Sequence, residues 1–175
     1  MRLRKTVLAL ALATLPTVAL AGPAAAVSGP QTFRLFFVGS FVAGASNAGP
    51  VFATGPVTAA GTAVNSGFVV EPDFTFVGNN QLHFDEGSVF VEFEGQLDSF
   101  DFDPRTCVTR ITGHGTWEVG DASGEFEGTT GGGTFTNDVT LIGRRTATGC
   151  STQQTEVSRI TLEGEIDVPG AAAAA

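Results

Sequence analysis

The stretch from Arg159 to Val168 constrains this chain most. Ile160, Leu162, Ile166 and Val168 alternate there with Arg159, Thr161, Glu163, Glu165 and Asp167. A period of two places the apolar set on one face of a strand and the charged set on the other. The pattern recurs at short intervals, and no long stretch carries the 3.6-residue period of an amphipathic helix. Apolar runs occur at 33–38, 57–64 and 67–76, with glycine and proline between them. Gln81 to Phe84 leads through Asp85-Glu86-Gly87 into Ser88 to Glu94, a hairpin signal. In that second arm Val89, Val91 and Phe93 face away from Glu92 and Glu94. Beyond Gly95, Phe100 and Phe102 alternate with Asp101 and Asp103 up to Pro104. From Cys107 to Val119, the set Cys107, Ile111, Trp117 and Val119 opposes Arg110, His114 and Glu118. Thr134 to Gly143 is a further strand.

About eight strands without intervening helices predict an all-β fold, a single closed antiparallel barrel. Closure removes the edges that an open meander leaves unpaired. A two-sheet β-sandwich is the alternative. The expected division is a leader at 1–26, an extension with a first strand at 27–54, a barrel domain at 55–168 and a disordered alanine-rich tail at 169–175. The leader has Arg2, Arg4 and Lys5, then an apolar run from Thr6 to Leu20, then small residues at 19–21 and 24–26. That order reads as a Sec-type secretion signal, and hence an extracellular protein. No later apolar run is long enough for a membrane span, so no membrane insertion is expected.

With the leader removed, six arginines face eighteen acidic residues, a net charge of −12, and no lysine remains. This excludes lysine nucleophiles, Schiff bases and a Walker-type lysine. It also opposes nucleic acid, whose phosphates need clustered cations. Cys107 and Cys150, in a secreted chain, are expected to pair. Such a disulfide closes a loop of about 44 residues, worth about 4 kcal/mol on the chain-entropy estimate.

The stretch GTWEVGDASGEFEGTTGGGTFT, 115–136, lacks the lysine and the helix start of a phosphate loop. It reads as two bends around a short strand at Glu125-Phe126-Glu127. Trp117 to Val119, Gly120 to Gly124, Phe126, Gly128 and Gly131 to Phe135 follow a strand, turn, aromatic, glycine-rich bend and strand order. In this it resembles secreted actinobacterial proteins of the allene oxide cyclase-like, or dirigent-like, barrel type. The flanking Cys107 and Cys150 are similar to theirs. The resemblance implies an eight-stranded antiparallel barrel, with homo-oligomers in the enzymatic branches. No position matches the polar catalytic residues of the cyclases or the paired aspartates of the dirigent proteins.

His83 and His114 are surface candidates, and two histidines with a paired cysteine set supply no zinc site. Asp98, Asp101 and Asp103 read as a solvated acidic rim rather than a calcium site, so no metal and no cofactor are expected. Fifteen phenylalanines without a tyrosine are the oddest feature of the composition. They either fill a small barrel or line a pocket for an apolar guest. Phe90, Phe100, Phe102, Trp117, Phe126 and Phe135 are the barrel-lining candidates. The leading expectation is a non-catalytic barrel that binds a small apolar molecule. A cofactor-free cyclase, isomerase or stereochemical guide is one alternative, and a subunit of an extracellular assembly is another. An interior without a cavity above ~100 Å³ would remove both the pocket and the guide.

Overall fold

A computed structural model describes residues 26–41 and 46–170. The expected leader, apart from Ala26, and the tail from 171 onward lie outside the described residues. Eight strands follow one another: β1 (Val27–Phe41), β2 (Asn47–Thr54), β3 (Ala59–Val70), β4 (Thr75–Phe84), β5 (Gly87–Asp103), β6 (Val108–Gly124), β7 (Thr130–Thr146) and β8 (Gly149–Val168). Each pairs antiparallel with its sequence neighbour, and β1 pairs with β8 from Val27↔Val168 to Phe41↔Gln154. The fold is therefore an all-β closed barrel. Residues 27–54, expected as an extension with one strand, supply two full staves of the ring.

Alternation decides what lies inside. On β1, Gln31, Phe33, Leu35 and Phe37 are buried, while Arg34, Phe36 and Val38 are exposed. On β8, Ile160, Leu162, Ile166 and Val168 face inward as their spacing predicts. The core is an interior stack including Phe33, Leu35, Val51, Leu82, Val89, Val91, Trp117, Leu162 and Ile166. Phe33 meets Trp117 edge-on at 5.8 Å between ring centres. Fully burying one such side chain contributes roughly 1.5–3 kcal/mol.

Two segments differ from the sequence reading. Residues 67–76 are not one strand. Glu71–Phe74 form a turn between β3 and β4, closed by Phe74 N–H donating to the Glu71 carbonyl at 3.0 Å. Pro72, with no N–H to give a ladder, stops pairing there. The second correction concerns the glycine-rich stretch. β6 continues to Gly124, Glu125–Gly128 turn, and β7 opens at Thr130, so there is one bend and no short strand at 125–127. Gly131, Gly132 and Gly133 lie within β7. A Cβ on any of them would strike backbone carbonyls of β6 or β8, so glycine here permits close strand approach.

One end of the barrel is sealed. Val57, from the loop between β2 and β3, is buried there. Its N–H donates to Gln31 Oε1 at 2.9 Å, and Gln31 Nε2 donates back to its carbonyl at 3.1 Å. This paired clamp satisfies a side chain that is almost wholly buried. Phe126, at the turn between β6 and β7, packs on Phe84 at 5.7 Å. The Thr129 hydroxyl closes that turn by donating to the Phe126 carbonyl at 2.6 Å.

Candidate functional site

The other end is open. A cavity of about 770 Å³ enters the barrel between the turns that join β3 to β4, β5 to β6 and β7 to β8. Its floor holds Phe93 and Phe135, whose rings meet at 5.5 Å, with Phe76 packed against both. Phe135 and Phe76 occupy room left by the facing glycines Gly95 and Gly115, and Phe93 lies over Gly78. A Cβ at Gly95 would lie 2.8 Å from Phe135 and 2.9 Å from Phe76. Phe37, Leu97, Ile111, Val139, Leu141 and Ile160 form the walls.

Two β-bulges shape the mouth. On β5 the register slips between Leu97 and Ser99, so Leu97 faces Gly113 while Phe100 faces Ile111. The extra residue flips the alternation and turns Phe100 and Phe102 inward. On β3 a slip between Ser66 and Val69 brings Val70 opposite Phe76, on the inner side. Phe74 completes this apolar rim from the intervening turn. It is 61% exposed and holds a left-handed backbone at φ 66°. A large side chain in that region costs about 1–2 kcal/mol relative to ordinary turn geometry.

Polar groups lie on inward positions of β2, β3, β6, β7 and β8, Thr109 of β6 and Gln154 of β8 among them. Asn47, Asn65, Asn137, Ser158 and Glu156 all line the cavity. Asn47 Nδ2 donates to Glu156 Oε2 at 2.8 Å, spanning β1 at Gly39. A Cβ at Gly39 would stand 3.0 Å from Asn47 Oδ1, so the missing side chain is what lets the amide reach across. Asn137 Oδ1 is buried without a partner. Deeper still, beyond the lining residues, both amide atoms of Asn80 are buried and unpartnered.

The six aromatic candidates separate. Phe100, Phe102 and Phe135 line the cavity. Trp117 and Phe126 are buried in the sealed part of the interior instead, Trp117 donating from Nε1 to the Glu163 carbonyl at 3.3 Å. Phe90 is corrected: it alternates with the fully buried Val89 and Val91, and its ring lies over Gly120 beside Glu92 on the outer face. Cys107 and Cys150 form a disulfide at the open end, with Cα atoms 5.4 Å apart.

None of the exposed titratable candidates enters the cavity. Glu92 and Glu94 border a shallow groove of about 530 Å³ over β4–β6, together with Glu118. His114 Nδ1 and Asp98 Oδ1 meet at 2.7 Å on the outer surface, and His83 is exposed. Asp103 accepts from the Arg105 N–H and the Thr106 hydroxyl, which lowers its pKa. Asp73 is lowered in the same way by the Thr75 hydroxyl and N–H. Both carboxylates therefore serve turns at the open end. Among the described residues no group of three or more His, Cys, Asp or Glu converges as a metal site. No helix among them is long and apolar enough to cross a membrane.

Sequence reasoning missed the inward polar set. A signal was present: the parity of Ile160 and Leu162, carried back along β8, passes through Ser158, Glu156 and Gln154. Carried forward from Phe135 along β7, it reaches Asn137. Compared with known proteins, the chain matches no family model, no curated protein and no solved structure.

Proposed function

We propose that this protein binds a small apolar molecule in the open half of its barrel, outside the cell. The observation that carries this reading is the cavity of about 770 Å³, walled by phenylalanine and aliphatic side chains and open at one end. That volume lies within the range of small-molecule sites, about 300–1,000 Å³. Exposed Phe74, Phe100 and Phe102 at the mouth give an entering apolar molecule its first contact. A secreted location accords with the disulfide and with the sequence of the leader.

The test is saturable binding of a neutral apolar fluorophore such as N-phenyl-1-naphthylamine. Val139→Trp fills the cavity from its wall, and binding should weaken at least about tenfold. Val38→Trp, on the outer face, should leave it unchanged. Unaltered binding in a folded Val139→Trp protein would discard the reading.

A second reading is steric guidance of a reactive apolar substrate, as in the cyclase-like and dirigent-like proteins that the sequence resembles. It draws on Glu156, a carboxylate among the lining residues that could hold or move a proton beside a confined substrate.

A further inference from the structure

We infer that the cavity selects apolar guests bearing an ammonium group, which stays at the mouth against Glu156 while the tail lies toward Phe93 and Phe135. The inference rests on the reading that the cavity holds an apolar molecule, and it adds the chemistry and the direction of the head.

The inward positions of β8 grade from polar to apolar. Gln154, Glu156 and Ser158 line the cavity on the side of the mouth, and Ile160 and Leu162 follow at the same parity toward the floor. Glu156 stands opposite Leu141, and Leu162 stands opposite Phe135 of the floor. Those six residues span about 20 Å along the strand. Along this wall an apolar tail is matched inward and a polar head outward.

Glu156 sets the charge of that head. It is the one charged side chain among the described residues that line the cavity. Asn47 Nδ2 donates to its Oε2 at 2.8 Å and so orients the carboxylate. Oε1 accepts nothing from the described residues and is not sealed off from the cavity, so a donor there reaches it. Gly39, opposite on β1, places no side chain over it. No arginine, lysine or histidine of the wall offsets this carboxylate, and its field is less screened beside apolar walls than in open water. An ammonium group supplies both the opposite charge and donors, and charge-assisted hydrogen bonds are stronger than neutral ones. A hydroxyl supplies a donor alone, and a second carboxylate is repelled.

A matched series on the full chain tests this: decylamine, 1-decanol and decanoate displacing N-phenyl-1-naphthylamine at pH 7.5. Decylamine should bind at least about fivefold tighter than 1-decanol, and decanoate weakest of the three. Glu156→Gln, which keeps an acceptor for Asn47, should bring the amine to within about twofold of the alcohol. Glu163→Gln removes the same charge from the exposed face of β8 and should leave the preference intact. Trp117, the single tryptophan, lies beneath the floor opposite Phe93, so bound 10-bromodecylamine should quench its fluorescence through the inward tail. A bound bromoamine that leaves Trp117 unquenched overturns the direction. Equal affinity for amine and alcohol, or a preference that survives Glu156→Gln or falls as far in Glu163→Gln, overturns the inference and leaves the apolar pocket standing. Failure of the fluorophore and of every decyl compound to bind overturns both.

Discussion

The sealed and open halves of the barrel are made from the same strands, and they differ in what occupies the inward positions. In the sealed half those positions carry Phe33, Leu35, Leu82, Trp117 and Ile166, with Val57 and Phe126 folded in from loops. In the open half they carry Asn47, Asn65, Asn137, Ser158 and Glu156 among smaller or displaced apolar groups. Alternation thus fixes the wall of a barrel but not its filling. The sealed half packs its aromatic rings on each other, while the open half sets Phe93 and Phe135 as a floor and leaves Phe74, Phe100 and Phe102 at the mouth. Stability should accordingly concentrate at one end and ligand contact at the other.

Phe33→Ala probes that division most strongly. It empties a fully buried site against Trp117 and should destabilise by about 3–5 kcal/mol. Phe100→Ala, at a side chain 64% exposed on the rim, should change stability by less than about 0.5 kcal/mol yet weaken binding of the apolar fluorophore. Denaturant titration of the pair checks it, and equal losses would erase the distinction between the halves. Removing the Cys107–Cys150 disulfide with paired serine substitutions should cost about 4 kcal/mol. Because the bridge sits at the open end, amide exchange should rise first in the turns beside 107 and 150, with Gln31 and Val57 still protected.

A smaller effect separates stability from binding within the rim itself. Phe74→Gly should relieve the left-handed backbone and gain about 1 kcal/mol, while fluorophore affinity falls. A loss of stability would show that the ring, not the turn, holds this segment. The smallest effect is that of pH. Asp73 and Asp103 both have folded pKa values below the ordinary 3.8, so their contribution is present above about pH 4 and fades as pH falls through the folded values. Protection of the Thr75 and Arg105 amides against exchange, relative to their intrinsic rates, should fall in that acid window, and Asp103→Asn should remove that loss at Arg105.

How much of this the residues disclosed depends on which physical rule governed each place. Strands and faces were legible wherever apolar and polar residues alternated cleanly, as on β8 and on β6 from Ile111 to Val119. The strand at Asn47–Thr54 was not read, because Gly49 and Pro50 look like a loop and only pairing with β1 and β3 makes them a strand. The fused reading of 67–76 failed because Val69-Val70 and Phe74–Phe76 flank the turn with strand-like residues. The bulge on β5 was visible in outline: apolar residues fall on odd positions through Phe93 and on even positions at Phe100 and Phe102. Phe90 broke the odd parity of its own strand and was misplaced for that reason. Whether phenylalanines fill a barrel or leave a cavity depends on the distance between opposite walls, which no local pattern encodes.

The seam between β1 and β8 has a consequence for how the chain comes together. It joins the first described strand to the last, Val27 to Val168, so the ring closes only when the whole chain is available. Contacts this distant in sequence form late, and all-β folds dominated by them reach the native state in milliseconds to seconds. The disulfide, by contrast, ties the turn before β6 to the start of β8 and needs none of β1. An intermediate with β2 to β8 assembled and cross-linked would leave the edge of β8 from Gln154 to Val168 unpaired. Until β1 and β8 meet, an unpaired edge of this kind is where incompletely folded molecules can pair with one another.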